Sequence, residues 1–418
     1  MKPHPQAGDG GRWGFVRSEL CLRSVGQHVR ASYAIGLLYS TTGPYGAIGR
    51  EALDGAVMAL EEVNADEAFG FTLAPVAANP EGVIDRYHAL CETAIREGGC
   101  RQIVGTITSL SRKEVLPTIE KHDALLWYIC PYEGFESSEA VMYTGAAPNQ
   151  HIVPLFQHVL PRWGTRAALL GSNYIWGWEV NRVARELIGA CGGEVLAERY
   201  LPIGSEDVGR LVQEVREKRP DFILNNLIGP SSYAFFRAYR ELADSDPAFG
   251  PDRCPIVSCN LTECELGLIG PAGTGHLSSA IYFEGVDTAE NRAFRGRVRQ
   301  RFGASRRSSA FLAGGYAAVR MLAEAIREAG TDAPEALRPV LHARRFATPL
   351  GPIGIDPRTN HAALTPCLGR IGPDGGFEIL DRAAAPVAPD PYLVEFDAAA
   401  LARRVLGPGA SPRLKRVK

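Results

Sequence analysis

From residue 33 onward, short apolar runs alternate with stretches of helical period. Tyr33-Ala34-Ile35-Gly36-Leu37-Leu38-Tyr39 is an apolar run of strand length, followed by the hydroxyl-rich turn Ser40-Thr41-Thr42-Gly43-Pro44. Leu53, Ala56, Val57, Leu60 and Val63 then recur at helical spacing. Val83, Ile84, Tyr87, Cys91, Ala94 and Ile95 mark a second helix, which Gly98-Gly99 stops. The pattern predicts a strand over 102–105, a helix over 112–121, a strand over 124–129 and another around 141–143. It restarts after Ala147-Pro148-Asn149-Gln150. Strands are predicted there over 166–171, 195–200, 222–226 and 256–259, with helices over 180–191, 208–215 and 233–242. Further on, a strand over 277–283 and helices over 292–302 and 311–328 read as a return to the first sheet. β material between 349 and 371 reads as a return to the second.

Strands alternating with helices make a parallel sheet covered on both faces. The predicted fold class is therefore α/β: two doubly wound parallel-sheet lobes, each of about 110–130 residues, joined by a hinge that the chain crosses several times. Residues 33–147 plus about 280–346 are expected to form the first lobe, and 148–279 plus about 347–396 the second. Residues 1–32 are expected to be a disordered extension and 397–418 a basic, frayed tail. Two lobes on such a hinge close on a ligand.

Composition narrows the class. With 418 residues, 45% hydrophobic and 22% charged, the chain can bury two substantial cores. A net charge of −2 leaves no electrostatic footprint for nucleic acid or an anionic membrane surface. Residues 1–32 hold no apolar run of signal-peptide length, because Leu20-Cys21-Leu22 meets Arg23 at once. The nine cysteines are scattered, with no Cys-x-x-Cys, and read as free buried thiols of a reducing compartment. The expected location is cytoplasmic, with no membrane insertion.

Enzymatic chemistry finds little support. There is no Gly-x-Ser-x-Gly, His-Glu-x-x-His or Walker loop. Cys130 before Pro131 lacks an evident base, and the nine histidines are dispersed, with His361 reading as a surface-turn or lobe-contact residue. No catalytic residue, metal ligand or cofactor is expected. Binding chemistry is better carried by the stretch from Val104 to Gly134, which contains two strand ends, Val104-Gly105-Thr106-Ile107-Thr108-Ser109 and Trp127-Tyr128-Ile129-Cys130-Pro131-Tyr132. In a parallel sheet these ends lie beside helix N-termini, where free N–H groups and hydroxyls converge. Tyr128, Tyr132, Tyr174, Trp176 and Trp178 supply an aromatic wall, and Asn260 a further amide, suited to a small, planar, uncharged polar ligand. Glu133 is the only carboxylate in those two segments, so no charged clamp is evident.

Several of these motifs occur together in one known family. Ile35-Gly36-Leu37-Leu38-Tyr39-Ser40, Ser109 with Arg112-Lys113, Pro131-Tyr132-Glu133-Gly134-Phe135-Glu136, Gly171-Ser172-Asn173-Tyr174-Ile175-Trp176 and Pro389-Asp390-Pro391-Tyr392 resemble the amide/urea-binding branch of the type I periplasmic-binding-protein fold. The resemblance covers about residues 33–395. It implies a ligand between the lobes, held by Ser109, Tyr128, Tyr174 and Trp176. The branch's amide sensor carries Tyr where this chain has Ile107 and Thr where it has Cys130. Losing either hydroxyl removes a bond worth about 1–3 kcal/mol, which implies an amide-like ligand larger or less polar than acetamide. The main function so implied is an AmiC-like cytoplasmic sensor, a negative regulator of amidase expression acting through an AmiR-like antiterminator. The alternative is the receptor of a urea, short-chain amide or branched-chain amino-acid ABC transporter. Expected partners are a small uncharged amide-like ligand, the antiterminator and, in an oligomer, further copies of this chain.

Overall fold

The computed structural model describes residues 30–407. The chain begins β1 (Ala31–Leu38), α1 (Gly46–Ala65), β2 (Phe71–Ala78), α2 (Asp85–Arg96), β3 (Gln102–Gly105), α3 (Ser109–Lys121), β4 (Leu125–Tyr128) and β5 (Val141–Tyr143). A second series follows: α4 (Ile152–Trp163), β6 (Arg166–Ser172), α5 (Ile175–Ala190), β7 (Glu194–Leu201), α6 (Gly209–Lys218), β8 (Phe222–Asn226), α7 (Pro230–Ser245), β9 (Ile256–Ser258), α8 (Glu263–Ile269) and β10 (Leu277–Ala280). The remainder is α9 (Ala289–Phe302), α10 (Ala310–Ala329), α11 (Pro334–Ala343), β11 (Arg345–Thr348), β12 (Gly351–Asp356), β13 (His361–Ala363), β14 (Cys367–Ile371), β15 (Phe377–Arg382) and α12 (Ala398–Leu406).

These strands form two sheets. The first runs β11-β12-β13-β5-β4-β3-β1-β2 and the second β15-β14-β10-β9-β8-β6-β7. The five consecutive strands β5-β4-β3-β1-β2 and β10-β9-β8-β6-β7 are parallel, and both halves share one order, with the second strand outside the first at the sheet edge. The two-lobed α/β architecture is thus as expected. Strands β3 and β4 are buried throughout, since helices cover both faces. Helices α1 and α10 lie against each other so closely that a Cβ on Gly55 would stand 1.9 Å from the Leu312 carbonyl oxygen.

Four features depart from the sequence reading. Strand β2 lacks a clear signal because Pro75 interrupts it, yet an edge strand tolerates a residue without an N–H. Helix α4 contains Pro154 in its first turn, where proline costs little, and Pro161 two residues before its end, and its apolar face is buried. The late strands exchange sheets: β10 pairs with β9 in the second sheet, whereas β11–β13 extend the first, with His361 beside Tyr143. The β11–β12 hairpin sets this, its turn held by the Thr348 hydroxyl donating to the Gly351 carbonyl at 2.7 Å. The first sheet therefore extends to residue 363, beyond the expected 346. Last, Ala31 and Ser32 open β1, and α12 stands where a frayed tail was expected, with Leu401 and Ala402 buried. The rest of both terminal expectations, 1–29 and 408–418, lies outside the described residues.

Candidate functional site

In a sheet of this order the connections leave in opposite directions from neighbouring strands, and a crevice opens at their carboxyl ends. Each sheet supplies one such crevice, and the two face each other. Thr108 starts α3 with a capping box: its hydroxyl accepts from Ser111 N–H at 3.1 Å, and Ser111 Oγ accepts from Thr108 N–H at 3.1 Å. That turn points the first residues of α3 into the cleft. Opposite, Tyr174 is the N-cap of α5 and Trp176 lies in its first turn. Two helix N-termini, one from each lobe, thus direct their positive ends at one space.

All seven sequence-predicted residues line that space. Ile107, Ser109, Tyr128 and Cys130 come from the first lobe, and Tyr174, Trp176 and Asn260 from the second, around a cavity of about 30 Å³. Every one of them is buried. The cavity lies at the ends of β3 and β4 on one side and of β6 and β9 on the other. Ile48, Thr108, Pro131, Ile228 and Phe311 complete the wall. Sequence reasoning missed these, although a capping signal at Thr108 was legible.

The other two aromatics expected in the wall are elsewhere. Tyr132 is buried behind it, stacked on Tyr143 with ring centroids 5.3 Å apart. Trp178 is 46% exposed, because two residues along a helix turn a side chain through about 200° from Trp176. His361 is no surface residue: it is buried, its ring lies parallel to Tyr143 at 4.1 Å, and Nε2 meets the Tyr132 hydroxyl.

Beneath the first-lobe wall lies a charge cluster. Arg112, one turn after Ser109, is 0% exposed. It donates to Glu136 at 2.7 Å, faces Glu133 at 3.3 Å, and stacks 4.6 Å from the Tyr128 ring centroid and 4.7 Å from that of Tyr132. Burial pushes the Glu136 carboxyl up, but Arg112 and Lys113 overcome this and hold it at about 2. The Ser109 hydroxyl donates to Glu133, and Tyr128 donates to the Ile107 carbonyl at 3.1 Å. The Trp176 indole N–H and His151 Nδ1 are buried with no hydrogen-bond partner among the described residues. Cys130 is a buried thiol whose pKa burial raises beyond the usual range, which disfavours its use as a nucleophile.

Buried titrating groups set the pH dependence of stability. Burial lowers His151 and His361 to about 4 and His276 to about 3, from 6.5. Stability from these neutral rings is present above the unfolded value and lost as pH falls through the folded ones. Burial raises Glu263 to about 8 and Glu265 to about 7, from 4.5. Their contribution is present below the unfolded value and lost as pH rises through the folded ones. The melting temperature is expected to peak near the free-imidazole value of 6.5 and to fall toward pH 8, with Glu263→Gln flattening the alkaline limb. A melting temperature still climbing at pH 8 would contradict this assignment.

Known proteins share this architecture. The model of the periplasmic binding protein domain matches residues 33–398. An ABC-transporter solute-binding protein from Rhodopseudomonas palustris, solved with p-hydroxybenzoic acid, superimposes with a TM-score of 0.77 at 21% identity, covering 87% of this chain and 99% of that one. A leucine-binding protein from Thermotoga maritima gives 0.71 at 16% identity, covering 84% and 98%. The leucine-, isoleucine-, valine-, threonine- and alanine-binding protein of Pseudomonas aeruginosa is 22% identical over 337 residues, 77% of this chain and 85% of its own length. A limonene hydroxylase from Geobacillus stearothermophilus is 28% identical over 119 residues, and the chain spans only 22% of its length.

These findings overturn the expected cytoplasmic location: the matching model is that of a periplasmic binding protein domain, and the solved relatives from Rhodopseudomonas palustris are solute-binding proteins of ABC transporters, which points to the periplasm. The cysteine argument had no force: seven of the eight described cysteines are buried and the eighth is half-buried, so free thiols carry no information about the compartment. The amide-sensor branch gains no support from these relatives. The match over residues 33–398 and the paired sheets establish that this chain belongs to the periplasmic binding protein domain family.

Proposed function

We propose that this chain is the solute receptor of an ABC importer and that its lobes close on a small uncharged solute carrying both a carbonyl oxygen and an N–H group, a carboxamide or a urea. The observation that carries this reading is one complementary pair across the cleft. Ser109 gives its hydroxyl proton to Glu133 and accepts from Arg112 at 3.4 Å, which leaves one lone pair for an incoming N–H. Trp176, on the other lobe, has a buried indole N–H without an acceptor. A solute that satisfies both binds the closed form better than the open one, which is what drives closure. No Lys or Arg lines the cavity, so a carboxylate would find no counter-charge there. Ile107, Tyr128, Cys130, Tyr174 and Asn260 enclose the solute and exclude water. A cavity of about 30 Å³ admits roughly one or two waters, so the smallest amides and urea need the least adjustment of the closed form.

The convergent N-termini of α3 and α5 favour a second reading, an anionic carboxylate such as an aromatic acid. The relatives lend no support to an antiterminator partner, and transport replaces regulation as the role. Calorimetric titration with urea, propionamide, propionate, leucine and 4-hydroxybenzoate separates these readings. Heat from urea or propionamide with silence from propionate supports the amide site, and the reverse overturns it. Trp176→Phe, which removes one donor and little volume, is expected to weaken propionamide binding by about 1–3 kcal/mol, roughly 5- to 150-fold. Its unfolding without solute should be unchanged. Undiminished affinity would remove Trp176 from the site.

A further inference from the structure

A second chamber of about 20 Å³ adjoins the first and shares Pro131, Asn260 and Phe311 with it. Its remaining wall is mainly apolar, with Ile129, Ala146, Ala280 and Ile281, but also holds Cys259, the Thr262 hydroxyl and the His151 ring. That ring is 1% exposed and packs against Trp176 of the first chamber, with centroids 5.6 Å apart. His151 Nε2 lies 2.9 Å from the Tyr132 carbonyl oxygen. A carbonyl only accepts, so Nε2 carries the proton. Burial lowers the ring's pKa to about 4, which leaves it neutral above that value. Nδ1 therefore presents a lone pair, and it has no donor. A buried acceptor left unpaired is costly, and a group that donates to it would remove that cost.

We propose that this chamber is a specificity subsite that receives the far end of the solute and selects a terminal hydroxyl or amino group through His151 Nδ1. The inference rests on the amide reading of the first chamber and adds the chemistry of the tail. The preferred solute is then a short carboxamide with a donor at the opposite end. A purely apolar tail leaves His151 unpaired, whereas a donating tail pairs it without adding volume.

The test uses two solutes of nearly one shape, butyramide and 3-hydroxypropionamide, in which a terminal methyl replaces a hydroxyl. Calorimetry on the full-length wild-type protein is expected to show 3-hydroxypropionamide binding about 10-fold tighter or more. His151→Phe keeps a ring against Trp176 but has no acceptor, and the preference of 3-hydroxypropionamide over butyramide should vanish or reverse. Should that variant fail to fold, Ala280→Val narrows the chamber from the far wall, and it should weaken both longer solutes while sparing acetamide. Equal binding of the pair by the wild type, or a hydroxyl preference that survives in His151→Phe, would overturn the subsite and leave the amide site standing. Under Ala280→Val, longer-solute affinities that stay at wild-type level overturn it equally. If no amide binds the wild type at all, the amide reading fails and the subsite falls with it.

Discussion

Arg112→Leu is expected to cost this protein about 3–5 kcal/mol of stability. The guanidinium is wholly buried and is the main counter-charge for Glu133 and Glu136 beneath the cleft wall. Leucine leaves two carboxylates there, one buried and one partly so, with only the more exposed Lys113 still paired to Glu136. Its removal also strips the stacking partner from Tyr128 and Tyr132. Urea denaturation followed by circular dichroism checks this through the transition midpoint. Adding Glu133→Gln and Glu136→Gln to Arg112→Leu should restore part of the loss, because buried charge without a partner is then gone. Arg112→Lys keeps the charge but loses the fork and the flat stacking face, so an intermediate cost is expected. A stability within about 0.5 kcal/mol of wild type would mean that solvent reaches this cluster.

Gly229→Ala is expected to weaken solute binding by about 100-fold, or 2.7 kcal/mol, through a failure of lobe closure. Gly229 is the N-cap of α7 in the second lobe, at φ 60° and ψ −132°, a conformation open in practice only to glycine. A Cβ there would stand 1.9 Å from the carbonyl oxygen of Pro44, which belongs to the β1–α1 loop of the first lobe. Both partners are backbone, so neither side can swing away, and the clash exists only while the lobes are together. The strain of the conformation acts on the second lobe alone and should cost about 1–3 kcal/mol of stability with or without solute. Small-angle X-ray scattering separates the two effects. The wild type should contract when its solute is added, and Gly229→Ala should not. Contraction of the variant at wild-type affinity would show that the Pro44–Gly229 contact does not govern closure.

Much of the fold is legible in local pattern. The strands over 102–105, 141–143 and 222–226 follow the predicted bounds, because each is a short buried run between turn signals, and period and punctuation are properties of neighbouring residues. The place of the interlobe cavity is legible for a related reason. Ile107, Ser109, Tyr128, Cys130, Tyr174, Trp176 and Asn260 sit just at or beyond strand carboxyl ends, and a parallel sheet brings such ends to one edge whatever the side chains are.

Burial and partnership are set by residues far apart in the chain. Tyr132 reads from the sequence as a cleft aromatic and His361 as a surface-turn or lobe-contact residue, yet each is buried by the other and by Tyr143, contacts made only once β13 joins β5. Trp178 stands in the same short aromatic segment as Trp176, and only the helical turn sends it to solvent. Which sheet β10 and β11–β13 join depends on the hairpin and on the free edges already built, so no local period could assign them. Even the polarity of the cleft is a tertiary property. Ser109 is one hydroxyl in a run of four, and it is left as an acceptor at the cavity wall because folding brings Glu133 to take its proton.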